Sequence, residues 1–230
     1  MERDSSDAGS MRTAVKKPSE RPRRRGEAKA YFRAKLIDAA IEAIARHGFS
    51  GLSVSRLVEY SGLARGMVNL HFHRKDQLLH EVLKHLADAY RASWQAAVES
   101  APDDPAARLW ALIEHDVVRK DHEDRTLIAW LAFRQEAITN PSYRPLCDTR
   151  EAAFFATVKS ACAALIKDGG YEIKPDVAAL GITFLLEGLW LDWALDPQRY
   201  RPKVGRAVCD AYLAAIFPEH FGKGAGPSNV

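Results

Sequence analysis

The run SVSRLVEYSGLARGMVNLHFHRKDQLL, Ser53 to Leu79, sets two short apolar-periodic segments on either side of one glycine, and few folds accommodate that. Ser53 is placed to cap the first segment, since its hydroxyl accepts from backbone N–H groups that a helix start leaves unpaired. Leu57, Val58 and Leu63 supply buried contacts, and Gly62 sits where a sharp turn between crossing helices needs positive φ. The second helix, Ala64 to Phe72, carries Arg65, Gly66 and Asn69 on its outer side. Arg65 and Asn69 are four apart and project from one face. The spacing predicts a helix-turn-helix bearing a polar ridge.

That ridge has a chemical reading. Arginine grips guanine O6 and N7, and asparagine grips adenine N6 and N7, in a major groove. Gly66 between them lets backbone approach closely, while Ala64 and Leu70 flank the pair. Ser53, His71 and Lys75 are the candidates for phosphate contacts. The bland alternative is a solvated helix face, since exposed polar pairs are common.

The surrounding frame resembles the DNA-binding domain of the tetracycline-repressor (TetR) family. The likeness rests on Ala39 to Gly48 (AAIEAIARHG) with Phe49, on Leu52 to Val54, on Gly62 to Gly66, and on Phe72 followed by Lys75, Leu78 and Leu79. Asn69 stands where the family usually has an aromatic. The segments WLAFRQEAITNPSYRPL (Trp130 to Leu146) and LLEGLWLDWALDP (Leu185 to Pro197) are similar to stretches of the choline-responsive, BetI-like repressors of that family. The resemblance implies a homodimeric repressor that leaves a palindromic operator in double-stranded DNA when a small effector, choline-like in this branch, enters its second domain.

Composition agrees with a soluble regulator without identifying one. The chain has 230 residues, 47% hydrophobic and 27% charged, long enough for one or two domains with a sizeable core. Its net charge of +3 is small, but Arg12, Lys16, Lys17, Arg21, Arg23, Arg24, Arg25 and Lys29 crowd the start. Residues 1–28 therefore read as a disordered basic tail, either a solubilising extension or an arm along phosphates. The start, MERDSSDAGS, lacks the apolar segment of a signal peptide, so a cytoplasmic location is expected. Cys147, Cys162 and Cys209 are scattered and odd in number, as expected of buried thiols in a reducing compartment.

Turn signals divide the chain into helices throughout, so the expected fold class is all-α. Three short helices of a DNA-binding domain (residues 29–75) precede a helical ligand-binding and dimerisation domain (76–218) and a disordered tail (219–230). The expected helices run from Tyr31 to His47, Asp76 to Ser100, Pro105 to Val118, Asp124 to Thr139, Tyr143 to Lys167 with an irregularity at Pro145, Pro175 to Leu195, and Lys203 to Phe217. Val177 to Leu195 has nearly the length of a membrane span, but Glu187 and Asp192 lie inside it. Each would cost about 2.5–3.5 kcal/mol near a bilayer centre, so a buried protein helix is the better reading and no membrane partner is expected.

A helix apolar nearly all round must be covered on most sides. Gly181 and Gly188, seven apart, with Phe184 beside them and Phe155 on the preceding helix, read as half of a twofold four-helix interface, or else as the core of a monomer. Trp110, Trp130, Phe133, Tyr143, Glu187 and Trp190 are the candidate ligand contacts, because aromatic faces beside a carboxylate attract cations. Core packing is the competing reading for each ring. The helix from Asp76 is the natural lever: Lys75 abuts the reading head while Tyr90, Trp94 and Val98 reach the second domain.

Catalysis is the main rival class, and little supports it. His71 with His73, or His80 with His85, share a helix face poorly, and no H-E-x-x-H, nucleophile elbow or phosphate-binding glycine loop occurs. No cofactor and no metal are expected. An architectural DNA binder, or a helical small-molecule carrier without switched DNA release, remain the alternatives.

Overall fold

A computed structural model describes residues 25–71, 74–118, 124–199 and 201–222. The basic residues from Arg12 to Arg24, and the chain from residue 223, lie outside them. The described residues form ten helices and no strand.

The first helix, α1 (Arg25–His47), starts six residues before the expected Tyr31 and so takes in the end of the expected tail. Its added turns are largely exposed, so no apolar period marks them. Good helix formers and Glu27 in the first turn, which opposes the helix dipole, favour them instead. At 23 residues α1 is not short. Gly48, with φ +70°, ends it, and a 3-10 turn over Phe49–Gly51 leads into α2 (Val54–Ser61). The Ser53 hydroxyl accepts from the Arg56 amide at 3.3 Å, and Gly62 adopts φ +64° before α3 (Arg65–His71). Val68, fully buried, pins α3 on Leu57 and the apolar stripe of α1.

The long helix α4 (Lys75–Ser100) belongs to two cores. Leu78, Leu79, Val82, Leu83 and Leu86 pack with the reading head, whereas Trp94 packs with the second half. Asp104 caps α5 (Pro105–Val117), accepting from the Ala107 amide at 2.7 Å, with Pro105 in the first turn. The next helix, α6 (Asp124–Thr139), lies across α1. A 3-10 turn, Pro141–Tyr143, then enters α7 (Arg144–Gly169). The expected irregularity at Pro145 does not arise, because a first-turn proline forfeits no helical hydrogen bond.

Gly170, at φ +64°, ends α7, and α8 (Pro175–Leu195) packs between α7 and α9 (Pro202–Ile216). Ala178, Ala179, Ile182, Leu186, Trp190 and Trp193 form its buried side. A short helix, α10 (Pro218–Phe221), takes the place of the start of the expected tail. The Tyr171 hydroxyl accepts from the Glu219 amide at 3.0 Å and meets the His220 ring at 2.8 Å, which fastens α10 against the end of α7.

Candidate functional site

On the reading head, Ala64, Arg65, Gly66, Asn69 and Leu70 are all exposed, while Val68 on the opposite side of α3 is buried. Leu70 is 59% exposed, which no folding requirement explains. Lys75, the first residue of α4, is exposed. Ser53 is exposed too, and its hydroxyl already serves the α2 cap. The side chain of His71 lies outside those described. Arg65 and Asn69 thus form an accessible ridge backed by a fixed core.

In the second half, α4, α5, α7 and α8 enclose a cavity of about 280 Å³. Tyr90, Phe154, Phe155 and Trp190 give it aromatic walls, and Asp116, Glu151 and Glu187 give it three carboxylates. Asp116 is only 2% exposed. The Tyr90 hydroxyl donates to its Oδ2 at 2.8 Å, and the His115 Nδ1 meets its Oδ1 at 2.8 Å. The Ser93 hydroxyl lies 2.6 Å from the other nitrogen of that ring, so α4 holds Asp116 directly and through His115. Glu151 and Glu187 share Arg134, at 3.1 and 3.4 Å. No lysine or arginine among the described residues pairs with Asp116. The Tyr90 ring meets Trp190 edge-on, with centroids 5.8 Å apart, and Phe154 at the same separation.

Of the six ligand candidates read from the sequence, only Glu187 and Trp190 line this cavity. Trp130, Phe133 and Tyr143 are buried in the first core, where Phe133 and Tyr143 pack edge-on against Phe49 at 5.1 and 5.6 Å. They join α6 and α7 to the turn after α1. Trp110 packs on the second core, outside the cavity. The residues missed are Tyr90, Asp116, Glu151 and Phe154. Asp116 had a signal: it follows Leu109, Leu112 and Ile113 at core spacing on α5, where an apolar residue belongs.

The interface candidates separate as well. Phe184 is 65% exposed, and Gly188 has open space around it. Gly181 does not face outward: the Tyr212 ring of α9 lies over it, where any added side chain would collide. Its smallness serves packing within the chain. Phe155 is partly buried and lines the cavity.

Residues 36–82 match the family described as bacterial regulatory proteins, tetR family, and residues 105–218 match the BetI-type transcriptional repressor, C-terminal. The chain belongs to the TetR family. It is therefore a transcriptional regulator with a helix-turn-helix DNA-binding domain and not an enzyme. This TetR regulator is 26% identical to the HTH-type transcriptional regulator BetI of Vibrio vulnificus (strain YJ016) over 182 residues, which is 79% of this chain and 90% of that one. A crystal structure of a transcriptional regulator from Pseudomonas aeruginosa PAO1 superposes with TM-score 0.71 at 26% identity, covering 86% of this chain and 94% of that one. Another, from Saccharomonospora viridis in complex with choline, has TM-score 0.73 at 19% identity, covering 80% and 96%, and shares the fold.

Proposed function

We propose that this protein is a homodimeric repressor that binds a palindromic operator through Arg65, Asn69 and their neighbours, and releases it when a small organic cation enters the α4–α8 cavity. One observation carries the effector class: a buried carboxylate, Asp116, stands at the wall of an aromatic cavity with the Tyr90 hydroxyl and the His115 imidazole as partners and, among the described residues, no lysine or arginine paired with it. An anion removed from water is costly unless it is paired, and among the described residues the lining holds three carboxylates, two of which share the Arg134 guanidinium. A quaternary ammonium group meets both needs, attracted by the carboxylate and by ring faces. The choline bound by the fold relative supports a ligand of that class.

Release follows from where Asp116 is held. A cation that engages Asp116 competes with the Tyr90 hydroxyl, and Tyr90 sits midway along α4, about 22 Å of helix rise from Lys75. Displacing α4 moves the reading head, and in a dimer it changes the separation of the two α3 ridges. The effector's differential affinity for the two arrangements sets the size of the switch. Arg65 and Asn69 read bases, Leu70 meets a thymine methyl, and Ser53, His71 and Lys75 position the backbone. As a repressor, the protein acts in the cytoplasm, where its operator is.

The homodimer rests on α8. Val177, Leu180, Phe184, Leu191 and Leu195 are all exposed and recur at spacings of three, four and seven along one stripe, a pattern that a second helix covers. The test is a gel shift on the DNA upstream of the protein's own gene, with and without choline. Retarded DNA that choline sets free is expected. Retardation that choline and betaine aldehyde leave unchanged would remove the cation, and no retardation would remove the repressor.

A further inference from the structure

Asp116 lines the cavity, but one of its partners does not. Its Oδ1 meets Nδ1 of His115 at 2.8 Å, and Nε2 of the same ring lies 2.6 Å from the Ser93 hydroxyl on α4. The Asp116 side chain is shut from water at 1% exposure, whereas that of His115 is 17% exposed and Ser93 is exposed. We infer that His115 decides how tightly Asp116 takes a cation: as imidazolium it occupies the carboxylate itself, and as neutral imidazole it yields the carboxylate to the effector, so that effector binding expels a proton. This rests on the cation effector proposed above and names the residue that tunes its affinity.

The same hydrogen bonds suit both forms of the ring. In the imidazolium, Nδ1–H donates to Asp116 and Nε2–H donates to the Ser93 oxygen. Once the proton leaves Nε2, Nδ1–H still donates to Asp116, while Nε2 accepts from the Ser93 hydroxyl, which turns round. The proton passes to water on the Ser93 side, and no bond of the effector changes. Imidazole is the side chain suited to such an exchange, since its charge ordinarily changes between about pH 5 and 8. His115 also stands in the last turn of α5, where unpaired carbonyl groups attract positive charge.

The surrounding elements leave the exchange to these two residues. From α4, Ser93 and Tyr90 face the ring, Tyr90 edge-on with centroids 5.8 Å apart. On α5 itself, Glu114 is paired with Arg206 of α9. From α9 come Asp210 and the Cys209 thiol, which burial, Asp210 and Asp116 keep protonated. From α7 and α8, Glu151 and Glu187 are held by Arg134. One negative charge, that of Asp116, is left for the imidazolium and the effector to share. Two like charges beside one carboxylate repel, and more so where water is scarce. The effector therefore binds more weakly while the ring is protonated, and by reciprocity the bound effector drives the proton off.

Choline is the probe, because its quaternary nitrogen holds no proton and any pH dependence belongs to the protein. Calorimetry on the full-length protein, at several pH values between about 5 and 8 and in buffers of different ionisation enthalpy, gives the affinity and the protons exchanged. The parent protein should bind choline about fivefold or more tightly at the alkaline end than at the acid end, and release part of one proton on binding. His115→Asn keeps a neutral donor for Asp116 and removes the titration. Its affinity should stay near the parent's alkaline value throughout, with the proton release gone. A variant weakened by one factor at every pH, with the parent's profile kept, would reduce His115 to holding Asp116 in place and overturn the exchange. Choline binding by the parent protein with no pH dependence and no proton release would overturn it without any variant, and leave the cation effector standing. No binding at any pH would remove the effector and the exchange together.

Discussion

Asp116 occupies a place that the repeat along α5 reserves for an apolar side chain, and its chemistry follows from that displacement. Replacing it with asparagine keeps the shape and an acceptor for Tyr90 but removes the charge. Asp116→Asn should weaken choline binding in calorimetry at least tenfold, about 1.4 kcal/mol, because the ammonium loses a nearby opposite charge, while DNA binding without effector persists. Undiminished heat would show that the cation is held elsewhere. On α3, two residues should fail in different ways. Arg65→Ala should cost about 1–3 kcal/mol on the operator and relax choice at one base position, whereas Lys75→Ala should weaken all duplexes alike and lower the salt dependence. Equal losses for Arg65→Ala on operator and random DNA would contradict base reading.

Among the elements, helices with an apolar period or a strong stop signal were legible in the sequence. Pro105, Asn140–Pro141, Gly170 and Pro175 mark boundaries that backbone chemistry imposes locally, and Gly48 and Gly62 take the positive φ that their positions require. The first turns of α1 were not legible, since they are exposed and carry no period, and α10 was missed because its hold comes from Tyr171, distant in sequence. Cavity walls are harder still. Trp130, Phe133 and Trp190 look alike in sequence, yet only Trp190 reaches the cavity, because which face of a helix meets a void depends on how four helices cross. The rings that proved to be core have their own use at the joint between α6 and the reading head. Arg125 reinforces that joint through Asp38 at 2.5 Å and Glu42 at 3.5 Å. Phe49→Ala, which removes the ring between Phe133 and Tyr143, should destabilise the fold by about 2–3 kcal/mol in urea titrations, somewhat below the cost for a fully buried ring. It should also weaken the effector's power to release DNA. Full release by choline with only the stability lost would confine Phe49 to packing.

For the whole molecule, burial sets a limit at alkaline pH. The Cys162 thiol is pushed up to about 12 and that of Cys209 to about 11 from an ordinary 9.0, chiefly by loss of water. The folded state thus keeps these protons after the unfolded chain has released them. Stability from this source is complete below pH 9 and falls as pH rises through 11 and 12. Tyr143 and Tyr212, also raised by burial, act in the same direction. Cys162→Ala should flatten the decline of the urea midpoint between pH 9 and 11, and an unchanged slope would assign the decline to other groups. The proposed dimer makes a stronger demand, since two α3 ridges related by a twofold axis can satisfy only a sequence with the same symmetry. Selection of bound duplexes from a random pool, with the parent protein and with an Arg65→Ala, Asn69→Ala double variant, measures this directly. A palindrome whose half-sites lie about one helical turn or a multiple of it apart, lost or altered at matching positions by the double variant, is the expected result. Enrichment of no palindrome, or of the same palindrome by both proteins, would contradict DNA reading by the α3 ridge.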